Sequence, residues 1–386
     1  MNKTKKILRI INTLNPSYGG SSSAIIDHSI ALKKHGFSVD ILTCDPKNSK
    51  YQNPKKIKII NQGPGLGNYG FSFNLSTWLF KNKEKYDYFI IEGIWQYFSL
   101  LARLLLQKKY FVLVHGALDP FFRLNFFKRI KKQIYWKLIE KKNLILSNSI
   151  LLTTEEEKRL LKKTYVNTDG IKKKVIGFGI STPKINKKKA KETFYKKFPY
   201  LKDKFFLLFL GRFHEKKGCD KLLKALRILK KQNINIRLLL AGPDNDYKDR
   251  LKQLSKNLDI DDQVFWSKAI KDETKWGALY LSQGMVLCSN GENFGVSLVE
   301  SLSLGKPVLT TNKVNIYNKI KKYKCGLISK NDSLSFSGIL NQYFNFNKKT
   351  LKNYSKNSIK CFNKEFNLEN NINIFSDYLK KFTNKV

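Results

Sequence analysis

Short apolar runs alternate with longer amphipathic stretches along this chain, and the alternation restarts near residue 205. Apolar runs bounded by turn residues predict buried strands, and apolar residues every three or four positions predict helices, such as those near Ser22–Lys34 and Asp220–Lys231. Strands that alternate with helices are typical of parallel sheets covered by helices on both faces, so the fold class is α/β. The predicted strands are Ile7–Thr13, Val39–Thr43, Ile57–Ile60, Tyr88–Ile91, Phe111–Val114, Ile150–Thr153, Phe205–Leu210, Ile236–Ala241, Val264–Trp266, Met285–Leu287 and Val308–Thr310.

Two such units fit a chain of 386 residues with 42% hydrophobic content. The junction is predicted at Ser181–Lys184 and the lysine-rich stretch up to Pro199, because prolines break this region and few apolar residues occur in it. A final helix is predicted from apolar residues at helical spacing, which are Ile372, Phe375, Tyr378, Leu379 and Phe382. The predicted domains are residues 1–183, residues 184–365 and a C-terminal helix at 366–386.

The chain is strongly basic, with 73 basic and 30 acidic residues and a formal charge of +43. Such a charge attracts nucleic acid, anionic lipid or an anionic substrate, although biased composition alone also produces an excess of lysine. A nucleic-acid partner is not expected, because the sequence shows neither a known binding module nor an aromatic stacking platform.

The five cysteines are scattered and never at C-x-x-C spacing, so the sequence predicts neither a disulfide framework nor a zinc site. A reducing cytoplasm fits this pattern. The first apolar run contains Arg9 and Asn12 and reads as a buried strand, not as a signal peptide. The most apolar longer stretch, Phe98–Val114, contains Arg103, Lys108 and Lys109, so no spanning helix is predicted. We expect a soluble or peripheral protein.

The segment Ser289–Glu300 carries the clearest chemistry. Glu292 is predicted to precede a short helix and Glu300 to lie about two turns inside it, near the face that Glu292 borders. Backbone amides at the positive end of the helix favour an anion, whereas carboxylates accept hydrogen bonds from hydroxyls. The segment therefore suits a ligand that is part phosphate and part polyol, such as a nucleotide-sugar.

This Glu292-x7-Glu300 segment resembles the donor-site motif of the family-4 retaining glycosyltransferases. The resemblance extends to three other segments in family order, which are Pro16–Ser21, Val114–Pro120 and Phe209–Gly218. It implies the GT-B fold, with two Rossmann-like domains facing across a cleft and C-terminal helices that cross back to the N-terminal domain. It also implies that the first domain binds the acceptor and the second the donor.

The resemblance implies a role for each matched residue. Arg212 and Lys217 would bind the donor diphosphate, Glu300 the ribose hydroxyls, and Glu292 the transferred sugar or the reacting centre. His115 would contact the donor sugar near the site of transfer. Backbone groups of the remaining matched residues would approach the donor, and these are Gly19, Gly20, Asn293, Phe294, Gly295 and Val296. No metal and no cofactor besides the nucleoside-diphosphate-sugar substrate is implied.

The implied activity is transfer of a sugar to a glycan or polyprenyl-linked acceptor in cell-surface polysaccharide or lipopolysaccharide assembly. A sugar phosphorylase or an epimerase on the same fold remains an alternative within enzymes. A basic nucleic-acid-binding protein is the alternative from another class.

One helix is predicted within Phe121–Lys142, where Phe127, Ile130, Ile134 and Leu138 form an apolar stripe flanked by basic residues. Basic amphipathic helices bind anionic membrane surfaces. The same pattern also suits a helix that packs its stripe on the sheet and leaves its lysines in water. The sequence leaves both alternatives open. Attachment to the inner face of the plasma membrane is the expectation that follows from the first.

Overall fold

A computed structural model describes residues 4–15, 20–50, 57–106, 108–120, 126–164 and 166–383, without the side chains of residues 20–23, 126–128 and 383. The strands of the described chain, in order, are β1 Lys6–Ile11, β2 Ser38–Pro46, β3 Lys58–Gly63, β4 Tyr88–Glu92, β5 Tyr110–Leu113, β6 Ile150–Leu152, β7 Lys173–Val175, β8 Phe206–Leu210, β9 Arg237–Ala241, β10 Val264–Ser267, β11 Gly284–Leu287, β12 Val308–Thr311 and β13 Gly326–Ser329.

Helices separate most of these strands, as the alternating pattern predicts. They are α1 Gly20–Lys34, α2 Phe73–Asn82, α3 Tyr97–Leu105, α4 Phe126–Tyr135, α5 Lys141–Ile145, α6 Glu155–Leu160, α7 Lys187–Lys197, α8 Cys219–Lys230, α9 Asp246–Asn257, α10 Asp272–Leu281, α11 Val296–Ser303, α12 Tyr317–Tyr323, α13 Ser333–Phe344, α14 Lys348–Cys361 and α15 Leu368–Thr383. A π-helical segment at Trp136–Glu140 joins α4 to α5. No helix among the described residues is both long and apolar enough to cross a bilayer.

The chain forms two compact units: unit 1 comprises residues 1–179 and 368–386, and unit 2 comprises residues 180–367. Unit 1 contains a seven-stranded sheet in the order β3-β2-β1-β4-β5-β6-β7, and unit 2 a six-stranded sheet in the order β10-β9-β8-β11-β12-β13. All neighbouring strands in both sheets are parallel. Two parallel α/β units confirm the predicted fold class.

The core of unit 1 lies on both faces of its sheet. On one face α2, α3, the π segment and α5 bury apolar side chains against β1, β4 and β5. On the other face α1 and α15 do the same, and α15 contributes Leu368, Ile372, Phe375 and Leu379. The last helix of the chain therefore completes the unit that the first strand begins.

The predicted strands all occur, with ends that coincide or are shifted by at most three residues, while the short strands β7 and β13 were not predicted. The prediction that the lysine-rich stretch up to Pro199 is a junction was wrong. Residues Lys187–Lys197 form α7, which packs on α10 within unit 2. Its two buried residues, Ala190 and Phe194, lie four positions apart, so one narrow apolar face suffices in a helix whose other residues are mostly lysine.

The helix predicted within Phe121–Lys142 is present from Phe126 onward, but its stripe does not pack on the sheet. Trp136 and Glu140 form the buried side of the helix, whereas Ile130, Ile134 and Leu138 are exposed. Residues 121–125 and the side chain of Phe127 lie outside the described residues.

The contact between α7 and α10 gives a test of packing. Gly277 in α10 lies directly against α7, so an added Cβ would overlap the Ala190 carbonyl and approach the Phe194 Cβ to 2.7 Å. We expect Gly277→Ala to destabilise the protein by about 1–3 kcal/mol through overpacking. In α13, Gly338 has nothing within 4 Å of an added Cβ. Gly338→Ala should therefore stabilise by about 0.5–1 kcal/mol through helix propensity. Thermal unfolding midpoints that move in the same direction for both variants would contradict this packing.

Candidate functional site

The first half of the site in unit 2 is the loop between β8 and α8. Arg212 follows the end of β8 and is exposed, and Lys217 lies in a 3-10 turn at Glu215–Lys217. Gly218 follows this turn with φ +64 and immediately precedes α8, and an added Cβ there would overlap the Cys288 carbonyl oxygen. Glycine is therefore required for this loop to lie against the chain that follows β11.

The second half is the loop after β11, which is hydrogen-bonded to the first. The Asn290 backbone N–H and the Ser289 hydroxyl both donate to the Lys216 carbonyl at 2.8 Å. On its other side, Glu292 exchanges backbone hydrogen bonds with Lys313 and Asn315 at 3.0 and 2.9 Å. The backbone on both sides of the Glu292 side chain is thus fixed by neighbouring loops.

Glu292 and Lys217 form an ion pair through Oε2 and Nζ. Their side chains are 20% and 22% exposed, so the pair is accessible from water. The two residues are 75 positions apart in sequence, but β8 and β11 are neighbours in the sheet, so their loops meet. The structure therefore brings together two residues that the sequence analysis assigned separately to diphosphate and sugar.

Helix α11 begins at Val296, immediately after Glu292–Gly295. Gly295 has φ +74 and no side chain caps the helix, so the first-turn amides remain directed at the loop. Phe294 is buried against Phe366, at 5.6 Å between ring centroids, and Asn315 donates to the Asn293 side chain at 3.3 Å. These contacts hold residues 293–296 in place.

Glu300 lies in α11 as predicted, but about one turn from its start instead of two, because the helix begins only at Val296. Its Oε1 accepts a hydrogen bond from Lys275 Nζ at 2.5 Å. Lys275, in α10, also lies over the Trp276 ring at 4.7 Å. Each predicted carboxylate of the motif therefore has its own lysine partner.

The segment Asp244–Asp246 leads into α9, of which Asp246 is the first residue. Asn245 caps this helix by accepting from the Lys248 amide, and Asp244 pairs with the Lys248 ammonium at 2.7 Å. In the described chain, no group of three His, Cys, Asp or Glu side chains could hold a metal ion.

The candidate residue of unit 1, His115, follows β5 in a backbone conformation with φ +47. Its Nε2 lies 2.8 Å from Glu92 Oε2 at the end of β4. Glu92 Oε1 in turn accepts hydrogen bonds from Arg9 of β1 at 2.8 and 2.5 Å. Burial alone would raise the pKa of Glu92, but Arg9 and His115 outweigh burial and lower that pKa to about 2. An ionised carboxylate only accepts, so His115 donates from Nε2 and presents Nδ1 elsewhere.

A second buried carboxylate fixes the loop that carries His115. Glu157 accepts from the Gly116 amide at 2.8 Å and from the amide and hydroxyl of Thr153. Burial raises its pKa, and these hydrogen bonds partly oppose the rise. His28 in α1 is held differently: burial, followed by the charge of Arg9, lowers its pKa to about 4, so it is a neutral donor to the Gly179 carbonyl.

Two predicted glycines and several residues that were not predicted remain to be placed. Gly20 begins α1, while Gly19 and Pro16–Tyr18 lie outside the described residues. Sequence reasoning missed Glu92 and Glu157, and it noted Arg9 only as a charge inside an apolar run. A lone charge in a predicted buried strand was the available signal, because such a charge needs a buried partner. Nothing comparable in the sequence pointed to Lys275.

Comparisons with known proteins concern the sequence of unit 2 and the fold of the chain. Residues 190–360 match the family model described as glycosyl transferases group 1. An uncharacterized glycosyltransferase of Methanocaldococcus jannaschii is 26% identical over 320 residues, which cover 74% of this chain and 78% of that protein.

Solved structures share the fold over nearly the whole chain. Sucrose-phosphate synthase from Thermosynechococcus elongatus superposes with a TM-score of 0.80 at 17% identity, covering 99% of this chain and 100% of its own. HepE of Anabaena, in complex with UDP and glucose, gives 0.76 at 14% identity, covering 98% and 100%. WaaG, a glycosyltransferase involved in lipopolysaccharide biosynthesis, gives 0.71 at 16% identity, covering 96% and 99%. With its two parallel α/β sheets the chain has the GT-B fold, and its residues 190–360 are similar to glycosyl transferases of group 1.

Proposed function

We propose that this chain is a retaining glycosyltransferase that moves a sugar from a nucleoside-diphosphate donor to a hydroxyl of a glycan or polyprenyl-linked acceptor. The observation that carries the proposal is the Lys217–Glu292 ion pair, beside exposed Arg212 and the uncapped start of α11. Cations and amides for a diphosphate thus lie next to a carboxylate for sugar hydroxyls. The HepE structure with UDP and glucose, on the same fold, supports this class of donor.

The ion pair would couple binding of the diphosphate to binding of the sugar. Without a donor, Lys217 neutralises Glu292. A diphosphate that binds Lys217 would compete for this ammonium, and Glu292 would then be free to accept hydrogen bonds from the sugar. Because the pair is partly exposed, exchanging it for ligand contacts costs little.

Glu300 is the proposed partner of the ribose hydroxyls. Its carboxylate is 13% exposed and already fixed by Lys275, so little side-chain freedom would be lost on binding. An ionised carboxylate accepts hydrogen bonds from two neighbouring hydroxyls well, which suits a ribose.

The proposed reaction begins with departure of the nucleoside diphosphate from the anomeric carbon. Arg212, Lys217 and the amides at the start of α11 would stabilise the negative charge that develops on the leaving group, and such electrostatic contributions are usually the largest in catalysis. The acceptor hydroxyl would then bond to the anomeric carbon on the same face and give its proton to an oxygen of the departing diphosphate, which retains the anomeric configuration. His115, oriented by Glu92, is proposed to contact the donor sugar close to this carbon.

The acceptor is proposed to belong to cell-surface polysaccharide or lipopolysaccharide assembly, at the cytoplasmic face of the plasma membrane. WaaG, which shares the fold, is described as involved in lipopolysaccharide biosynthesis. The net charge of +43 further supports work near an anionic surface.

The donor contacts are tested first by substitution. We expect Arg212→Ala and Glu300→Gln to weaken donor binding or turnover by about 10²-fold, since each removes a charge-assisted contact. The donor is first identified by release of nucleoside diphosphate from a panel of nucleotide-sugars, and its affinity is then measured by calorimetry. Arg250→Ala and Glu192→Gln, exposed residues on α9 and α7, serve as matched controls. Affinity and turnover within twofold of the unmodified protein in either test variant would remove that residue from the site.

Chelation tests how the diphosphate is neutralised. If protein cations and amides do this, turnover should persist in excess EDTA, because no divalent ion is required. The measurement is the initial rate with and without chelator after dialysis. Complete loss that added Mg²⁺ or Mn²⁺ restores would show that a metal ion carries the leaving-group charge.

Product stereochemistry tests the retaining course. We expect the newly formed bond to have the anomeric configuration of the donor, because attack is proposed on the face that the diphosphate leaves. Proton NMR of the product at early times reads this from the anomeric coupling constant. An inverted product would contradict the proposal, and turnover that needs phosphate or no acceptor would favour a phosphorylase or an epimerase.

A further inference from the structure

Large apolar side chains are exposed mainly on one part of unit 1. Fifteen such side chains occur among the described residues, and ten of them lie between Leu66 and Leu146. Among these ten, Phe73 is 75% exposed, Leu66 66%, Leu138 65%, Phe80 63% and Leu104 59%. Apolar side chains concentrated in this way mark a surface that binds something apolar.

These side chains belong to elements that cover one face of the sheet. Helices α2, α3 and the continuous α4–α5 helix bury their inner sides in the same core cluster, so their outer sides face the same way. Lys83 at the end of α2 donates to the Leu105 carbonyl of α3 at 3.3 Å. Ser99 of α3 donates to Glu140 between α4 and α5 at 2.5 Å. The exposed side chains of these helices therefore form one surface, which we call the apolar face.

The α4–α5 helix shows how this surface is built. Ile130, Ile134 and Leu138 recur every four residues and are 40%, 55% and 65% exposed. Trp136 and Glu140 on the opposite side are buried. The helix is therefore fixed to the sheet by one side and presents a second apolar side to its surroundings.

Basic side chains flank this second apolar side. Lys131, Lys137 and Lys142 are exposed, and Lys132 lies over the Trp95 ring at 5.1 Å. The one acidic residue between 126 and 146 is Glu140. It is fully buried, so its carboxylate does not lie on the outer side of the helix. The apolar face is thus bordered by positive charge without compensating acids on this helix.

The charge decides which occupant fits. A second copy of this chain would place the face against itself, because two-fold interfaces pair the same patch from both subunits. Lysines would then oppose lysines around an apolar centre, which is unfavourable. An anionic lipid surface offers both an apolar interior and negative headgroups, so it complements both parts of the face.

We propose that the apolar face docks on an anionic bilayer, with Ile130, Ile134 and Leu138 entering the headgroup region and Lys131, Lys137 and Lys142 contacting anionic headgroups. The inference rests on the proposed function only for the membrane location of the acceptor. It specifies which surface of unit 1 contacts the membrane. It also specifies that apolar insertion and charge both contribute to the binding.

The two contributions differ in their response to salt. In about 1 M NaCl the Debye length is about 3 Å, so attraction by exposed lysines is largely screened. Apolar insertion is not screened, so part of the binding should survive high salt. Binding by charge alone would be lost completely.

The test is co-sedimentation of the full chain with vesicles made from equal parts of phosphatidylglycerol and phosphatidylcholine, in the absence of donor. Changing Ile130, Ile134 and Leu138 together to Gln should lower partitioning about 100-fold and abolish the salt-resistant part. Changing Lys131, Lys137 and Lys142 to Gln should lower low-salt partitioning about 100-fold and leave the salt-resistant part.

Matched variants control for composition and folding. Leu334, Ile359 and Ile374 are exposed apolar residues on other helices, and Lys348, Lys349 and Lys352 are exposed lysines of α14. Changing either set to Gln should leave partitioning within twofold. Circular dichroism checks the fold of every variant, and we expect all of them to be folded because only exposed side chains are changed.

Three results would overturn the inference. One is equal loss in the control and test variants, which would assign binding to overall charge. Another is failure of the unmodified protein to bind these vesicles. The third is a dimer in lipid-free solution that the Ile130, Ile134 and Leu138 variant disrupts, which would make the face a self-interface. Donor turnover is measured in parallel, so loss of the proposed reaction and loss of vesicle binding are told apart.

Discussion

Every strand in both sheets is parallel, so all strands of a unit end at one edge, and His115, Arg212, Lys217 and Glu292 lie in loops or turns at such edges. The strand order also reverses once in each sheet, between β1 and β4 in unit 1 and between β8 and β11 in unit 2. At such a reversal the connecting helices leave in opposite directions and open a crevice. In each unit an ion pair crosses this point: Arg9 with Glu92, and Lys217 with Glu292.

The two ion pairs are alike in position but differ in burial, and burial determines what each can do. Arg9 and Glu92 are 2% and 0% exposed, so removing either partner would leave a buried charge at a cost of about 3–5 kcal/mol. That pair is fixed, and it orients His115. The Lys217–Glu292 pair is partly exposed, so a ligand can replace it at a lower cost than breaking a buried pair would have. One pair therefore positions a side chain, and the other is available for exchange.

Much of the fold was predictable because local pattern and tertiary structure agree in parallel α/β units. Buried strands are apolar on both faces, so β1, β8 and β11 stand out without knowledge of their neighbours. Strands β7 and β13 did not, because one is lysine-rich and the other is a short run that begins at Gly326. Helix α7 was missed because two buried residues in eleven give too weak a pattern.

The site was predictable only where its residues lie in one segment. Glu292 and Glu300 share a motif, and Gly218 marks a turn in the loop that carries Lys217. Lys275, the partner of Glu300, and Glu92, the partner of His115, come from other elements. The position of Lys275 depends on the packing of α10 near α11, and that of Glu92 on the pairing of β4 with β1 and β5. These partners are far apart in the sequence, so tertiary structure decides whether they meet, and local spacing does not predict it.

The place of α15 in unit 1 has a consequence for the order of folding. Its apolar side covers the sheet face formed by Ile7, Ile90, Phe111 and Leu151, with Leu379 fully buried. During synthesis these strands leave the ribosome long before α15, while unit 2 is complete at residue 367. Unit 2 can therefore finish folding first, and unit 1 retains an uncovered apolar sheet face until the last helix emerges. That interval is when the nascent chain is most exposed to misassembly or to chaperone binding.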